Sequence, residues 1–250
     1  MDKPKSHKRA PTAVLCILLL TLSAANAVHA QANSFPPEFR ATFLLNTRGI
    51  DVGTTQWELG PLSAGRYFFS IASETIGIAK LFRDERVQER SEWELAGDQV
   101  RPLRYSSSRV GGKREREMQI DFDWSTAKAS STLNGNNSTA PLKSGTLDKL
   151  TYFIALMNDL SSGVTEARYA VADGEKSKTY LLKVVGEEQI DTVLGPLNTT
   201  VVERTQSGKS RVTRMWCAQG LQFLPVQIEH IEDDGTVRFT LTALEGLTAQ

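Results

Sequence analysis

Histidine and cysteine are scarce in this chain, and most of what there is lies at its start. Of three histidines and two cysteines, His7, His29 and Cys16 fall within residues 1–30. That stretch reads as a secretory leader, because Lys3, Lys5, Lys8 and Arg9 precede an apolar run from Ala13 to Leu22 and small residues follow. Val28-His29-Ala30 and Ala25-Asn26-Ala27 both offer a cleavage site, so cleavage is expected after Ala30 or Ala27. The expected organisation is therefore a signal peptide over 1–30, a loose polar lead-in over 31–37, and a single domain over 38–247.

Removing the leader leaves one histidine, His230, and one cysteine, Cys217. One cysteine excludes an intramolecular disulfide even in an oxidising compartment. One of each also leaves too few residues for a zinc site. If the strands around them form a hairpin, Cys217 and His230 are roughly 20 Å apart at ~3.4 Å per residue, which disfavours a Cys-His nucleophile pair. No G-x-S-x-G elbow, P-loop or dinucleotide fingerprint occurs, so serine hydrolase and nucleotide chemistry lack their parts. No metal and no cofactor is expected, and the chain reads as non-enzymatic.

Charge of one sign is missing as well. Of 29 basic and 29 acidic residues, the leader holds four and one, which leaves 25 and 28. With no basic excess a nucleic-acid partner is not expected. No segment after the leader approaches the ~20 apolar residues of a transmembrane helix, so the exported chain is expected to be soluble.

What the chain does have is alternation. Val237, Phe239, Leu241 and Ala243 alternate with Thr236, Arg238, Thr240 and Thr242, the period of a strand with one buried and one wet face. Asp234-Gly235 before them suggests a type I′ hairpin from the strand ending at Ile231. Similar runs begin at Phe39, Val52, Tyr67, Val100, Met118, Ala167, Lys178, Glu188, Asn198 and Arg211, separated by turn residues. Ile78 to Phe82 reads as strand, and charged Arg83 to Leu95 as an exposed strand or short helix. Pro102 implies an edge position or a bulge, and Leu133 to Ser144 a polar loop. One segment differs: Leu147, Leu150, Phe153, Met157 and Leu160 recur at three and four, predicting a buried helix over about 147–160 with Thr146 as its cap. The fold class expected is mainly β: a single-domain antiparallel barrel, half-open barrel or sandwich of about a dozen short strands with one inserted helix.

Several local signals in order now point to a family. Gly49-Ile50-Asp51-Val52-Gly53, Phe122-Asp123-Trp124, Leu147-Asp148-Lys149-Leu150, Gly186-Glu187-Glu188-Gln189-Ile190 with Thr192 and Gly195, Trp216, Leu224-Pro225-Val226 and Asp234-Gly235 span about Phe39 to Leu244. Together they resemble the bacterial exported family catalogued as domain of unknown function 3108. The resemblance implies a periplasmic protein and a β-rich fold, and it carries no activity or site residues.

Three functional readings follow. In the first, inward aromatics and the helix form a cavity for an apolar or amphipathic envelope molecule, a lipid or acyl chain; Phe43, Trp57, Phe69, Phe122, Trp124, Phe153, Met157 and Phe239 are its candidate ligand-binding residues. In the second, an exposed strand edge near Pro102 pairs with an envelope protein. In the third, ranked lowest, Asp121 and Asp123, about 7 Å apart on one strand face, act as glycosidase carboxylates.

Overall fold

The computed structural model describes residues 1–2, 35, 37–112, 115–174, 176–206 and 208–249. The signal peptide expected over 1–30 lies outside the described residues after its first two, as does most of the 31–37 lead-in. Residues 34–250 form one compact unit.

Fifteen strands make one sheet. The first arm comprises β1 (Phe39–Thr47), β2 (Ile50–Pro61), β3 (Arg66–Thr75), β4 (Arg86–Ala96), β5 (Gln99–Val110), β6 (Arg116–Asp123), β7 (Lys128–Leu133) and β8 (Asn136–Pro141). The second comprises β9 (Thr146–Leu147), β10 (Glu166–Asp173), β11 (Lys176–Thr192), β12 (Gly195–Gln206), β13 (Val212–Ala218), β14 (Leu224–Glu232) and β15 (Gly235–Glu245). The first arm runs as a meander and so does the second from β10 to β15, with β9 added parallel to β10 across the helix connection, and β1 pairs antiparallel with β15 to join the arms. The free edges are therefore β8 and β9, which are neighbours in sequence.

The sheet is not closed by a ladder, yet its arms meet. Ser131 Oγ on β7 donates to the Gly174 carbonyl after β10 at 3.0 Å, and Arg116 on β6 lies 3.5 Å from Asp173 on β10. Helix α1 (Thr151–Ser161) runs inside, burying Tyr152, Phe153, Ile154, Leu156, Met157 and Leu160. The half-open barrel with an inserted helix is thus the architecture observed.

Alternation explains the strands, and local chemistry explains where they depart from expectation. The helix begins at Thr151, because Thr146–Leu147 instead forms a parallel ladder with Ala170–Val171. Its cap is Asp148 rather than Thr146: Asp148 Oδ1 accepts the Leu150 and Thr151 N–H groups at 2.8 Å each, and its own N–H donates to Thr151 Oγ1. Ile78 to Phe82 is not strand. Gly77 turns the chain with φ +57°, and a single 3-10 turn over Gly77–Leu81 follows, leaving Ile78, Leu81 and Phe82 exposed.

The charged stretch after it is β4, and the expected polar loop contains β8, joined to β7 by the positive-φ pair Asn134-Gly135. Gly186 does not end a strand, since β11 runs through it with a bulge between Val184 and Gly186. The last hairpin turns at Asp233-Asp234 instead of Asp234-Gly235, with Gly235 already paired to Glu232. Of the two positions expected for Pro102, the bulge is found and the edge is not: Pro102 pairs with Trp93 beside a register shift that leaves Leu103 unpaired, in an interior strand.

Candidate functional site

The inner face of the sheet changes character along each strand. On β2 the inward residues run Leu59, Trp57, Thr55; on β3 Phe69, Ile71, Ser73; on β4 Trp93, Ser91, Glu89, Val87. On β12 they run Val202, Arg204, Gln206, and on β14 Val226, Ile228, His230. At one end the large side chains interlock: Phe39, Phe69 and Trp57 form a chain of edge contacts with centroids 6.2 and 5.6 Å apart. Toward the other end the side chains become smaller or polar and stop filling the interior.

The space left is an open-mouthed cavity of about 1040 Å³. Its deep wall is aromatic and aliphatic, with Trp57, Ile71, Tyr152, Phe153, Ile228 and Phe239 facing it. The helix supplies both sides of that wall. Phe153 lies 4.8 Å from Trp57 on β2, and Tyr152 lies 5.2 Å from Tyr180 on β11. Charged side chains ring the mouth: Arg109, Lys149, Lys178, Lys209, Arg211, Glu232, Asp233 and Asp234.

Buried polar contacts hold this wall in place. Asp148 is fully buried and accepts Ser91 Oγ of β4 at 2.5 Å, which ties the helix start to the sheet. Burial pushes the Asp148 carboxyl up, opposed by its hydrogen bonds from Ser91, Thr151 and Leu150. The phenol of fully buried Tyr105 donates to Glu89, and burial followed by that carboxylate pushes the phenol up. On β10, burial works to raise Asp173, but Lys149 and Lys178 hold it below the usual carboxylate range.

Arg204, Thr213 and His230 are in register across β12, β13 and β14. Arg204 Nη2 donates to Thr213 Oγ1 at 2.7 Å, and Thr213 Oγ1 lies 3.0 Å from His230 Nδ1. Arg204 Nη1 donates to the Tyr152 hydroxyl at 3.1 Å, and the guanidinium stands 4.4 Å over the Tyr180 ring. Burial, then the charges of Arg204 and Arg211, lower the His230 pKa to about 4.

Of the sequence-derived candidates, Trp57, Phe153 and Phe239 line the cavity. Phe43, Phe69 and Met157 are within the packed interior, Phe43 against Trp57 at 5.0 Å and Phe69 against Phe153 at 6.4 Å. Phe122 is buried beside Trp124, which lies beyond the end of β6 with its Nε1 donating to the Pro102 carbonyl. Tyr152, Tyr180 and Arg204 were not among the candidates, and His230 was weighed only as a partner for Cys217 or a metal, because the search was for an apolar lining. Arg204 shares its face of β12 with Thr200, Val202 and Gln206, a mixed pattern that gives no sequence signal for an inward site.

Elsewhere the candidate chemistry is committed to structure. Asp121 pairs with Arg104 at 2.6 Å. Asp123 accepts from Ser125 and Thr126 in a turn, which lowers it to about 2. Cys217 is fully buried and burial pushes its thiol up. Among the described residues no three His, Cys, Asp or Glu side chains cluster to hold a metal, and no helix is long and apolar enough to cross a membrane.

Residues 38–242 match the family model described as Protein of unknown function (DUF3108), and the chain belongs to that family. Among solved structures it is similar to a beta-barrel-like protein of domain of unknown function DUF1849 from Brucella abortus. That match has 11% identity, a TM-score of 0.57, and covers 85% of this chain and 98% of that one. A protein with a YmcC-like fold from Bacteroides fragilis matches at 8% identity and a TM-score of 0.34, covering 84% and 96% of the two chains. The first likeness shows a shared barrel-like fold; the second is too distant in shape to add to it. No curated protein matches the chain.

Proposed function

We propose that this member of the DUF3108 family is an exported, periplasmic, non-catalytic protein that holds an apolar or amphipathic envelope molecule, a lipid or acyl chain, in the open end of its curled sheet. The observation that carries this reading is the cavity of about 1040 Å³ with an aromatic wall and a charged mouth. Its volume is at the top of the range of small-molecule sites, and its lining, aromatic at the back and polar over most of the rest, suits an amphipathic molecule. The two carboxylates weighed as a glycosidase pair lie away from the cavity, Asp121 in an ion pair with Arg104 and Asp123 in a turn.

Pairing with a partner at a strand edge has less to support it. The edge strand β8 is six residues long, polar and ends in Pro141, and β9 has two residues. Short, proline-bearing edges are the kind that resist added strands.

The test is mass spectrometry of small molecules extracted from the protein after detergent-free purification from the periplasm. A lipid or acyl compound near one per chain is expected. A clean apo-protein that also fails to take up an acyl compound in solution overturns the reading.

A further inference from the structure

We propose that the row Arg204–Thr213–His230 is an anion-recognition site, so that the molecule held in the cavity is an acyl chain with an anionic oxygen head, a phosphate or a carboxylate. This rests on the cavity being a ligand site, and it names which ligand chemistry that site selects.

The argument begins with charge. Most cavity cations already have a carboxylate: Asp173 lies 2.6 Å from Lys149 and also pairs with Lys178, Glu85 lies 3.1 Å from Arg109, and Glu232 pairs with Arg211. Lys209 is exposed at the rim. Arg204 is different. It lies deeper, partly buried between two tyrosine rings, and its hydrogen bonds go to two neutral hydroxyls, with no carboxylate in ion-pair reach among the described residues.

A guanidinium has five N–H donors, and those two bonds leave three without an acceptor among the described residues. A partly buried guanidinium with free donors and its fork fixed in place matches a phosphate or carboxylate. Tyr152 and Thr213 fix the orientation, which removes part of the ordering cost on binding.

His230 completes the row. The Thr213 hydroxyl accepts from Arg204 and lies 3.0 Å from His230 Nδ1; in the tautomer whose Nδ1 accepts the hydroxyl proton, the neutral imidazole carries its N–H on Nε2. With its pKa lowered to about 4, His230 is neutral at pH 7, and an anion beside Arg204 offsets the charge that helps to depress it. The other charges on this cavity are Glu89 from β4, Glu232, Asp233 and Asp234 from the β14–β15 hairpin, and Arg211 beside β13. Lys209 lies in the same connection as Arg211, and Arg109, Lys149 and Lys178 also line the cavity. Ligand binding should therefore raise the titration midpoint of His230.

The experiment compares dodecyl phosphate, dodecyl maltoside and inorganic phosphate by titration calorimetry, each below its aggregation concentration, with the full exported protein. Dodecyl phosphate is expected to bind at least about tenfold tighter than the neutral detergent. Inorganic phosphate should bind far more weakly than either. In Arg204→Gln the preference between the two detergents should collapse, with dodecyl phosphate losing at least about tenfold more affinity than dodecyl maltoside. In wild type the His230 imidazole resonance, assigned by its loss in His230→Gln, should titrate at higher pH with dodecyl phosphate bound.

Equal affinity for the two detergents overturns the inference while leaving the cavity reading intact, and so does a preference that survives Arg204→Gln. Inorganic phosphate binding as tightly as dodecyl phosphate overturns the acyl part and points to a small anion. Binding of neither detergent removes the cavity reading itself. If Arg204→Gln does not fold, the wild-type detergent ratio and the His230 shift decide the matter without it.

Discussion

Trp93 and Glu89 face the same way on one strand, four residues apart, and meet opposite surroundings. Trp93 is fully buried against Tyr67 at 4.9 Å, whereas Glu89 borders the open cavity. The same contrast repeats on β3 between Phe69 and Ser73 and on β14 between Val226 and His230. One end of the curled sheet is packed and carries the stability; the other is left unfilled and can carry a ligand. The difference lies in side-chain volume and polarity at fixed backbone geometry, because both ends share the same ladders.

Truncations should separate the two ends, and the largest effect is expected at the packed one. Phe69→Ala opens a void beside Trp57, Phe39 and Phe153, and a loss of about 3–5 kcal/mol in denaturant unfolding is expected. A loss below about 1 kcal/mol would mean that the interior there is not close-packed.

Asp148→Ala comes next. It removes the helix cap and strands the Ser91 hydroxyl in the interior, with an expected cost of about 3 kcal/mol. The cavity wall should loosen too, read as lower affinity for any acyl ligand. Unchanged unfolding would show that the helix start is held by its apolar contacts alone.

The third contrast is one of pH. His230 has a folded pKa of about 4, below the usual value of 6.5, so its contribution to stability is fully present above the unfolded value. The unfolded chain binds the proton first as pH falls, so that stability is lost between about 6.5 and 4. After allowance for partial exposure, the expected loss is about 2 kcal/mol. Unfolding of wild type and His230→Gln should converge toward pH 4, and parallel curves would mean that His230 is freely hydrated. The smallest effect is expected for Phe239→Ala at the cavity wall: below about 1 kcal/mol in stability, with a clear drop in acyl-ligand affinity. A core-sized loss there would erase the distinction between the two ends.

Period-2 alternation made the strands legible because it is set by the backbone and needs no knowledge of partners. Val237 to Ala243 and Met118 to Phe122 were read directly in this way. Less legible was whether an inward aromatic meets another side chain or open space. Phe69 and Phe239 carry the same signal in sequence, and they differ only in what the rest of the sheet places opposite them. The helix cap was misassigned because Thr146 and Asp148 are both good capping residues, and only the β9–β10 pairing settles which is free to cap. Arg204 was not legible, since its face of β12 reads Thr200, Val202, Arg204, Gln206, which in sequence looks like an ordinary wet face.

The joining of the arms through β1 and β15 has a consequence for how the molecule is made. The two ends of the chain lie side by side in mid-sheet, with Arg40 opposite Glu245, while the free edges fall at mid-chain. Every other pairing is a hairpin or a short return, but this one closes a loop of about two hundred residues. β1 must wait for nearly the whole chain before it gains its second neighbour. Until then a bare edge at the most apolar part of the sheet is open to other chains. Linking β15 to β1 and cutting between Pro141 and Thr146 would turn the same ladders from β10 through β15 and β1 to β8 into one meander, preceded by the β9–helix crossover. Such a rewired chain should fold faster than the natural one, because its slowest closure has been made local.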